Sequence, residues 1–407
     1  MAKGKRRTGK GSITKYETKA GTRWRWQLRV PVDPENPDEG ERQTGKGGYL
    51  TAADADDALT EAKRKVAARL TFARTMPTVA EYAGRWIDGL SLEASTIAGY
   101  RRLARNHVAP QLGNLGVDKV TATRLARHYQ ELLASGRRDR AGVGKGLSAN
   151  TVSKVHVLLG AMFEAARADG LILTNPARKR GIVKAPTGRQ VKAQQTEMVT
   201  WSAAQLAAFL AWDRDEHGDN LFSLWHTVAH TGLRRSEALA LRWRDVDLTG
   251  GRVSVRRALD TTQRDVVKLT KTGGARVVDI DPNTVAVLRS WRGQLGGVSL
   301  DLVRADAYVF GNLSGGTRSP NEVSRRWRTR VANARAALGA EALPVVTLHG
   351  LRHTHATILL ELGVNPKVVQ ERLGHSTIST TMNIYSHVTP TMQRSAADLL
   401  AAAIAGN

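Results

Sequence analysis

The sequence predicts a multidomain protein: a small β-sheet backed by one helix, then an all-α bundle, then a larger mixed α+β domain that is mainly helical. Three observations predict it. At 407 residues the chain is too long for one ordinary compact unit. Its apolar spacing changes from two to three-to-four after about residue 50. A basic stretch carrying two prolines and no apolar period, residues 176–198, separates two periodic regions.

The first element is β-type. In TRWRWQLRV, Trp24, Trp26, Leu28 and Val30 alternate with Arg23, Arg25, Gln27 and Arg29, the period of a strand with one buried face. Short strands at SITKYE and GGYL join it through the loop DPENPDEGE. A helix from about Thr51 to Leu70 follows, acidic early and basic late as the helix dipole prefers. Residues 1–70 thus form a three-stranded sheet backed by a helix, and Arg23, Arg25 and Arg29 give its outer face a cationic stripe suited to phosphates.

Residues 78–175 read as a four-helix bundle. Thr78 and Glu81 make a capping box ahead of Val79, Tyr82, Trp86, Ile87 and Leu90. Later helices carry Ile97, Tyr100, Leu103 and Ala104, then Leu125, Tyr129, Leu132 and Leu133, then Val152, Val155, Leu158, Leu159, Met162 and Phe163. SGRRDRAGVGKGLS is a basic loop. Residues 176–198, with Lys179 and Arg180, read as a tether lying on or near a polyanion. The mixed domain occupies 199–390, and 391–407 forms a tail helix with Leu399, Leu400, Ala403 and Ile404 on one face.

The charge balance narrows the function classes. Lys and Arg total 61 against 37 Asp and Glu, a formal net charge of +24, which calls for a polyanionic partner. With no long apolar segment and no strongly basic amphipathic helix bearing bulky aromatics, nucleic acid is favoured over a membrane. Cysteine is absent, which excludes disulfide scaffolds, thiolate zinc sites and cysteine nucleophiles. No apolar stretch follows MAKGKRRTGK to make a secretory signal, so a reducing cytoplasm is the expected location.

Three segments of the mixed domain collect cations around one phenol. In HTGLRRSEALALRW a helix stops at Gly232 and another starts near Ser236, so Arg234 sits at a junction, with Glu237 three residues on. In VVKLTKTGGARVVDI, apolar runs flank TKTGG as in a β-hairpin, with Lys271 at the tip and Arg276 on the return strand among the nucleic-acid contacts. In HGLRHTHATILLELG, His349 and Arg352 share a helix face. Asn365 and Pro366 start a further helix ending at Gly374; His375 follows, and Tyr385 lies ten residues later. His349, His353 and His355 have no HExxH pattern for zinc. NPKVVQERLGHSTISTTMNIY also reads as a repressor-type helix-turn-helix, which leaves His349, Arg352 and Lys271 without a role.

TGLRRSE, TKTGGAR, HGLRHTHAT and LGHSTISTTMNIYSH, in that order, resemble the tyrosine recombinases of phage-integrase type. The resemblance covers the whole mixed domain; Gly350 departs from it, since many members have Asp there. It implies that Tyr385 attacks the scissile phosphate to form a 3′-phosphotyrosine, that Arg234 and Arg352 hold the non-bridging oxygens, and that Lys271 protonates the leaving 5′-oxygen. His349 would serve in proton transfer, His375 would hydrogen-bond the phosphate, and Glu237 would orient its neighbours. Residues 1–70 are similar to an arm-site-binding domain and 78–175 to a core-site-binding domain. Implied with these are double-stranded DNA carrying core and arm attachment sites, a homotetramer on that DNA with the tail docked on a neighbouring protomer, a host bending factor and excisionase, a bacterial nucleoid setting, and no metal or ATP; from its residues alone the tail helix could equally pack on its own domain. The rival reading is a regulator that binds DNA on the same scaffold without chemistry; a topoisomerase with the same chemistry is a third.

Overall fold

The computed structural model describes residues 11–32, 40–67, 76–138, 142–194, 198–218, 220–260, 266–269, 275–385, 398, 400–401 and 404–405. The chain divides into two compact units, residues 1–195 and 196–407.

In the first unit, β1 (Ser12–Thr18), β2 (Gly21–Pro31) and β3 (Glu41–Tyr49) form an antiparallel sheet in the order β1-β2-β3. Alternation along β2 decides which side is covered. Trp26, Leu28 and Val30 are buried against Leu59 and Ala62 of α1 (Ala52–Ala67), while Arg25 and Arg29 are exposed and Arg23 is partly covered.

A second core lies among the helices that follow. The capping box of Thr78 and Glu81 starts α2 (Val79–Asp88), and its reciprocal bonds satisfy amide donors that a helix start otherwise leaves orphaned. α3 (Ala94–Leu103) runs through a π-helical turn, Ala104–Val108, into α4 (Ala109–Leu112); α5 (Ala122–Ser135) and α6 (Ala149–Ala168) complete the group. The α6 face bearing Val152, Val155, Leu158, Leu159, Met162 and Phe163 is wholly buried. Each large apolar side chain removed from water there contributes roughly 1.5–3 kcal/mol.

Residues 176–198, expected as a basic tether, contribute side chains to this core. A turn of 3-10 helix spans Pro176–Arg178, and Thr187 with Gln190 caps α7 (Gly188–Ala193). Ala177 and Val183 are buried among the bundle residues. Two apolar side chains in a basic run leave no period to read, yet each has a place to go. Lys179 and Arg180 stay exposed.

The second unit opens with α8 (Ala203–Trp212), capped by Ser202 and Gln205, and the apolar α9 (Phe222–Thr231). α10 (Arg235–Leu239) leads to five short strands: β4 (Val246–Asp247), β5 (Arg252–Val255), β6 (Arg257–Leu259), β7 (Val267–Leu269) and β8 (Arg276–Asp279). Then come α11 (Pro282–Val298), α12 (Pro320–Leu338), α13 (Leu348–Glu361), α14 (Pro366–Leu373) and α15 (Ile378–Tyr385). Trp201, Phe209, Trp225 and Trp327 pack ring on ring at centroid distances of 4.8–5.8 Å, and such pairs add about 0.5–1.5 kcal/mol each beyond their buried area. α9 packs on α8, α11 and α13, so the end of α9 is delivered rigidly to the place where Arg234 begins.

The strand pairing corrects one expectation. Among the described residues the runs flanking TKTGG do not pair with each other: β8 pairs with β5, and β7 pairs with β6. The hairpin closes earlier, where the Asp260 amide donates to the Val266 carbonyl at 2.7 Å. In the β5–β8 register (Arg252↔Asp279), Arg257 would face residue 274; it faces Leu269, so the two pairings differ in register by five residues. Between β6 and β7 the polar run TTQRD carries no glycine, whereas TKTGG carries two. Lys271 itself lies outside the described residues, as do Leu399 and Ala403 of the tail. Among the described residues no helix is long and apolar enough to cross a membrane.

Candidate active site

Two glycines set the backbone of the site. Gly232 ends α9 and Gly374 ends α14, both in the left-handed region at φ 64° and 66°, where a side chain costs roughly 1–2 kcal/mol. Neighbouring side chains would also have to shift to admit one. A Cβ on Gly232 would lie 2.5 Å from Leu373 Cδ2, and one on Gly374 2.9 Å from Arg276 Nη1. The closeness lets guanidiniums reach the carbonyls of these turns.

Arg352, on α13, donates from Nη1 to the Gly232 carbonyl and from Nη2 to the Leu373 carbonyl, both at 2.6 Å. It is 2% exposed. Burial, with the positive charge of Arg234 beside it, presses its pKa down to about 9, which still leaves it charged at neutral pH. Arg234 is the N-cap of α10, in extended backbone at φ −66°, ψ 145°. Its Nη2 donates to the Gly374 carbonyl at 2.9 Å, so Arg234 and Arg352 grip successive carbonyls of one turn. Arg234 remains 42% exposed, the more accessible of the two.

Glu237, 3% exposed, lies behind them. Its Oε1 accepts from Arg234 Nη1 at 2.8 Å and Arg276 Nη1 at 3.0 Å; its Oε2 accepts from the Arg234 amide at 2.9 Å and Arg276 Nη2 at 2.6 Å. Burial pushes the carboxyl up, but the bonds and charge of Arg276, then of Arg234, more than reverse this and hold it below the usual glutamate range. Arg276, counted in sequence with the nucleic-acid contacts, is 14% exposed, its guanidinium forked on Glu237 and its Nε donating to the Arg372 carbonyl at 3.0 Å.

His375 follows Gly374, its Nδ1 2.9 Å from the buried Thr381 Oγ1 of α15. Burial, with Arg352 and Arg234 next in weight, lowers its pKa to about 4, so it is neutral at pH 7. His349 lies edge-on to His353 with ring centroids 4.6 Å apart. Desolvation and the charges of Arg352, Arg234 and Arg235 hold its imidazole below the ordinary value, although part of its surface stays open to water. His349, Arg234, Arg235, Ser324 and Arg328 line a cleft of about 470 Å³. Tyr385 closes α15, ten residues beyond His375 in the chain.

The three histidines weighed for zinc part company. His355 is turned away, donating from Nδ1 to the Ala229 carbonyl at 2.8 Å while its Nε2 accepts from Arg372 Nε at 3.2 Å; burial and then Arg372 drop its pKa to about 3. Among the described residues no group of three or more His, Asp or Glu is arranged to hold a metal ion. Gly350 sits where a Cβ would meet Val346 Cγ1 at 2.9 Å.

Sequence reading missed Arg372. Besides His355 it bonds the Asp279 and His230 carbonyls, each at 2.9 Å, so it ties α14 to β8, α9 and α13. Nothing in QERLG distinguishes it from a helix-end surface arginine, because its partners come from three distant segments.

Residues 204–392 match the model of the phage integrase family. The chain is 26% identical over 330 residues to a XerC-like tyrosine recombinase of Caldanaerobacter subterraneus, covering 76% of this chain and 78% of that one. It is 24% identical over 304 residues to the ICEBs1 integrase of Bacillus subtilis, covering 73% and 75%. In fold it is similar to the Tn1549 transposon integrase, solved in complex with a circular intermediate DNA, with a TM-score of 0.65 at 23% identity over 80% of this chain and 99% of that one.

Proposed function

The chain is a tyrosine recombinase of phage-integrase type, a site-specific recombinase that cuts and rejoins DNA strands through a tyrosine-linked intermediate, and from that premise we propose how its residues divide the work. Tyr385 is the nucleophile, Arg234 and Arg352 hold the non-bridging oxygens of the scissile phosphate, and Glu237 orients Arg234. His375 hydrogen-bonds the phosphate, His349 passes a proton, and Lys271 protonates the leaving 5′-oxygen. The observation that carries this reading is the grip of Arg234 and Arg352 on successive carbonyls of the turn before His375.

The chemistry asks for such a set. A phosphodiester repels anionic nucleophiles, and charge grows on its oxygens as the fifth bond to phosphorus forms; fixed guanidiniums oppose both through charge-assisted bonds. A phenol with an ordinary pKa of about 10 needs cations or a base beside it to attack at neutral pH. As the Tyr385 oxygen bonds to phosphorus, the bond to the 5′-oxygen breaks and that oxygen takes a proton, leaving a 3′-phosphotyrosine and a 5′-hydroxyl. One phosphate ester replaces another, so rejoining by the reverse path needs no ATP, and the built-in cations take the place of a metal.

Double-stranded DNA is the partner. The exposed Arg25 and Arg29, with Arg23, suit arm sites, and residues 78–175 with Lys179 and Arg180 suit core sites. Leu400 and Ile404 of the tail are 62% and 77% exposed, which supports docking on a neighbouring protomer of a homotetramer. A host bending factor and an excisionase would set direction on a bacterial nucleoid, for a phage or another mobile element. The test is recombination between two plasmid-borne attachment sites in EDTA without ATP. Wild type should give recombinant product and Tyr385→Phe none; product from Tyr385→Phe, or a requirement for magnesium, would overturn the assignment.

A further inference from the structure

The Glu237 carboxylate, buried to 3% exposure, is shared between two guanidiniums. Were Arg234 its sole partner, the pair would be neutral, and Glu237 would compete with any bound phosphate for Arg234. Arg276 changes that balance. It takes both carboxylate oxygens from β8 with a two-bond fork at 3.0 and 2.6 Å, so two positive charges face one negative charge and Arg234 keeps its charge for an incoming anion.

The same side chain also fixes position. Arg276 Nε holds the Arg372 carbonyl at 3.0 Å, two residues before the Gly374 carbonyl that Arg234 grips. Arg372 is in turn laced to the Asp279 and His230 carbonyls and to His355. At 14% exposure, Arg276 has its Nε and both Nη atoms engaged within the protein.

We propose that Arg276 is a positioning residue for strand cleavage: it neutralises and anchors Glu237 so that the Arg234 guanidinium stays oriented and available for the scissile phosphate. The proposal rests on the reading of Arg234 as a ligand of that phosphate. Outer-shell partners of this kind are worth roughly tenfold to a hundredfold in activity, so Arg276→Met should slow single-turnover cleavage of a nicked attachment-site duplex by about that range. Arg276→Lys keeps a charge but loses the fork, and should recover part of the rate. It is run beside the Met variant because Met leaves Glu237 half-paired.

The deciding substrate carries a methylphosphonate at the scissile position, in which a methyl group replaces one charged oxygen. Less negative charge then needs an arginine. The slowdown of Arg234→Ala relative to wild type should shrink on this substrate, and those of Arg276→Met and Arg276→Lys should shrink with it. If Arg234→Ala is relieved while both Arg276 variants stay equally slow on the two substrates, Arg276 merely supports the fold and the proposal is wrong. If Arg234→Ala is not relieved, its reading as a phosphate ligand fails and takes the proposal with it.

Discussion

The arginines around Gly374 and those on β2 carry the same charge and are held in opposite ways. Arg352 and Arg276 are 2% and 14% exposed and spend their donors on the Gly232, Leu373 and Arg372 carbonyls and on Glu237. Arg25 and Arg29 stand in water on a sheet whose other face is packed. A buried guanidinium bound to backbone is fixed before any phosphate arrives, so it gives orientation at no further entropic cost. An exposed one offers attraction and no geometry.

If that contrast is sound, the largest effect belongs to Arg352→Ala. It should slow covalent adduct formation by about a hundredfold or more, near 3 kcal/mol in the barrier. It should also cost about 1–3 kcal/mol of stability for each carbonyl left without a donor. Stopped-time adduct assays and denaturant melts read the two separately.

Arg330→Met comes next and sharpens the comparison, since it is buried yet remote from the chemistry. Its Nη1 pairs with the fully buried Asp213 at 2.5 Å. Breaking a buried pair leaves an uncompensated charge, so denaturant melts should show a loss of about 3–5 kcal/mol, while the cleavage rate of the folded fraction stays close to wild type.

A smaller, graded effect is expected with acid. His355, His353 and His375 have pKa values lowered to about 3, 4 and 4 from 6.5, first by burial and then by neighbouring cations and one another. Below 6.5 the unfolded chain takes up protons that the folded one refuses, so their stabilising effect is complete above that pH and drains away as pH falls toward 4. Calorimetry across this window should show a falling melting temperature; a flat profile would mean that these rings are solvated.

The smallest effect should come from Arg25→Ala and Arg29→Ala. Stability should move by no more than about 0.5 kcal/mol, and the salt slope of DNA binding should drop by about one for each phosphate no longer neutralised. A change in cleavage chemistry would blur the distinction between the two regions.

What the sequence could and could not reveal follows the same division. Alternation in β2, the capping box at Thr78 and the three-to-four spacing of α6 are local, and local patterns are legible. So were Arg234, Arg352, His349, His375 and Tyr385 as candidates, because their surrounding motifs are contiguous. The β6–β7 pairing was not, since TKTGG offered stronger turn residues nearby. The packing of Ala177 and Val183 was hidden by the basic run around them. Arg276 and Arg372 were hidden for a deeper reason: their meaning comes from Glu237, Asp279, His230 and His355, brought together only by the fold.

The most direct test of the account is a nicked duplex bearing the candidate attachment site, incubated with wild type or Tyr385→Phe and resolved in SDS, with the linkage mapped by peptide mass. Wild type alone should yield a covalent adduct, joined from Tyr385 to a DNA 3′-phosphate and leaving a free 5′-hydroxyl. An adduct from Tyr385→Phe, or tight binding by both proteins with no adduct from either, would contradict it.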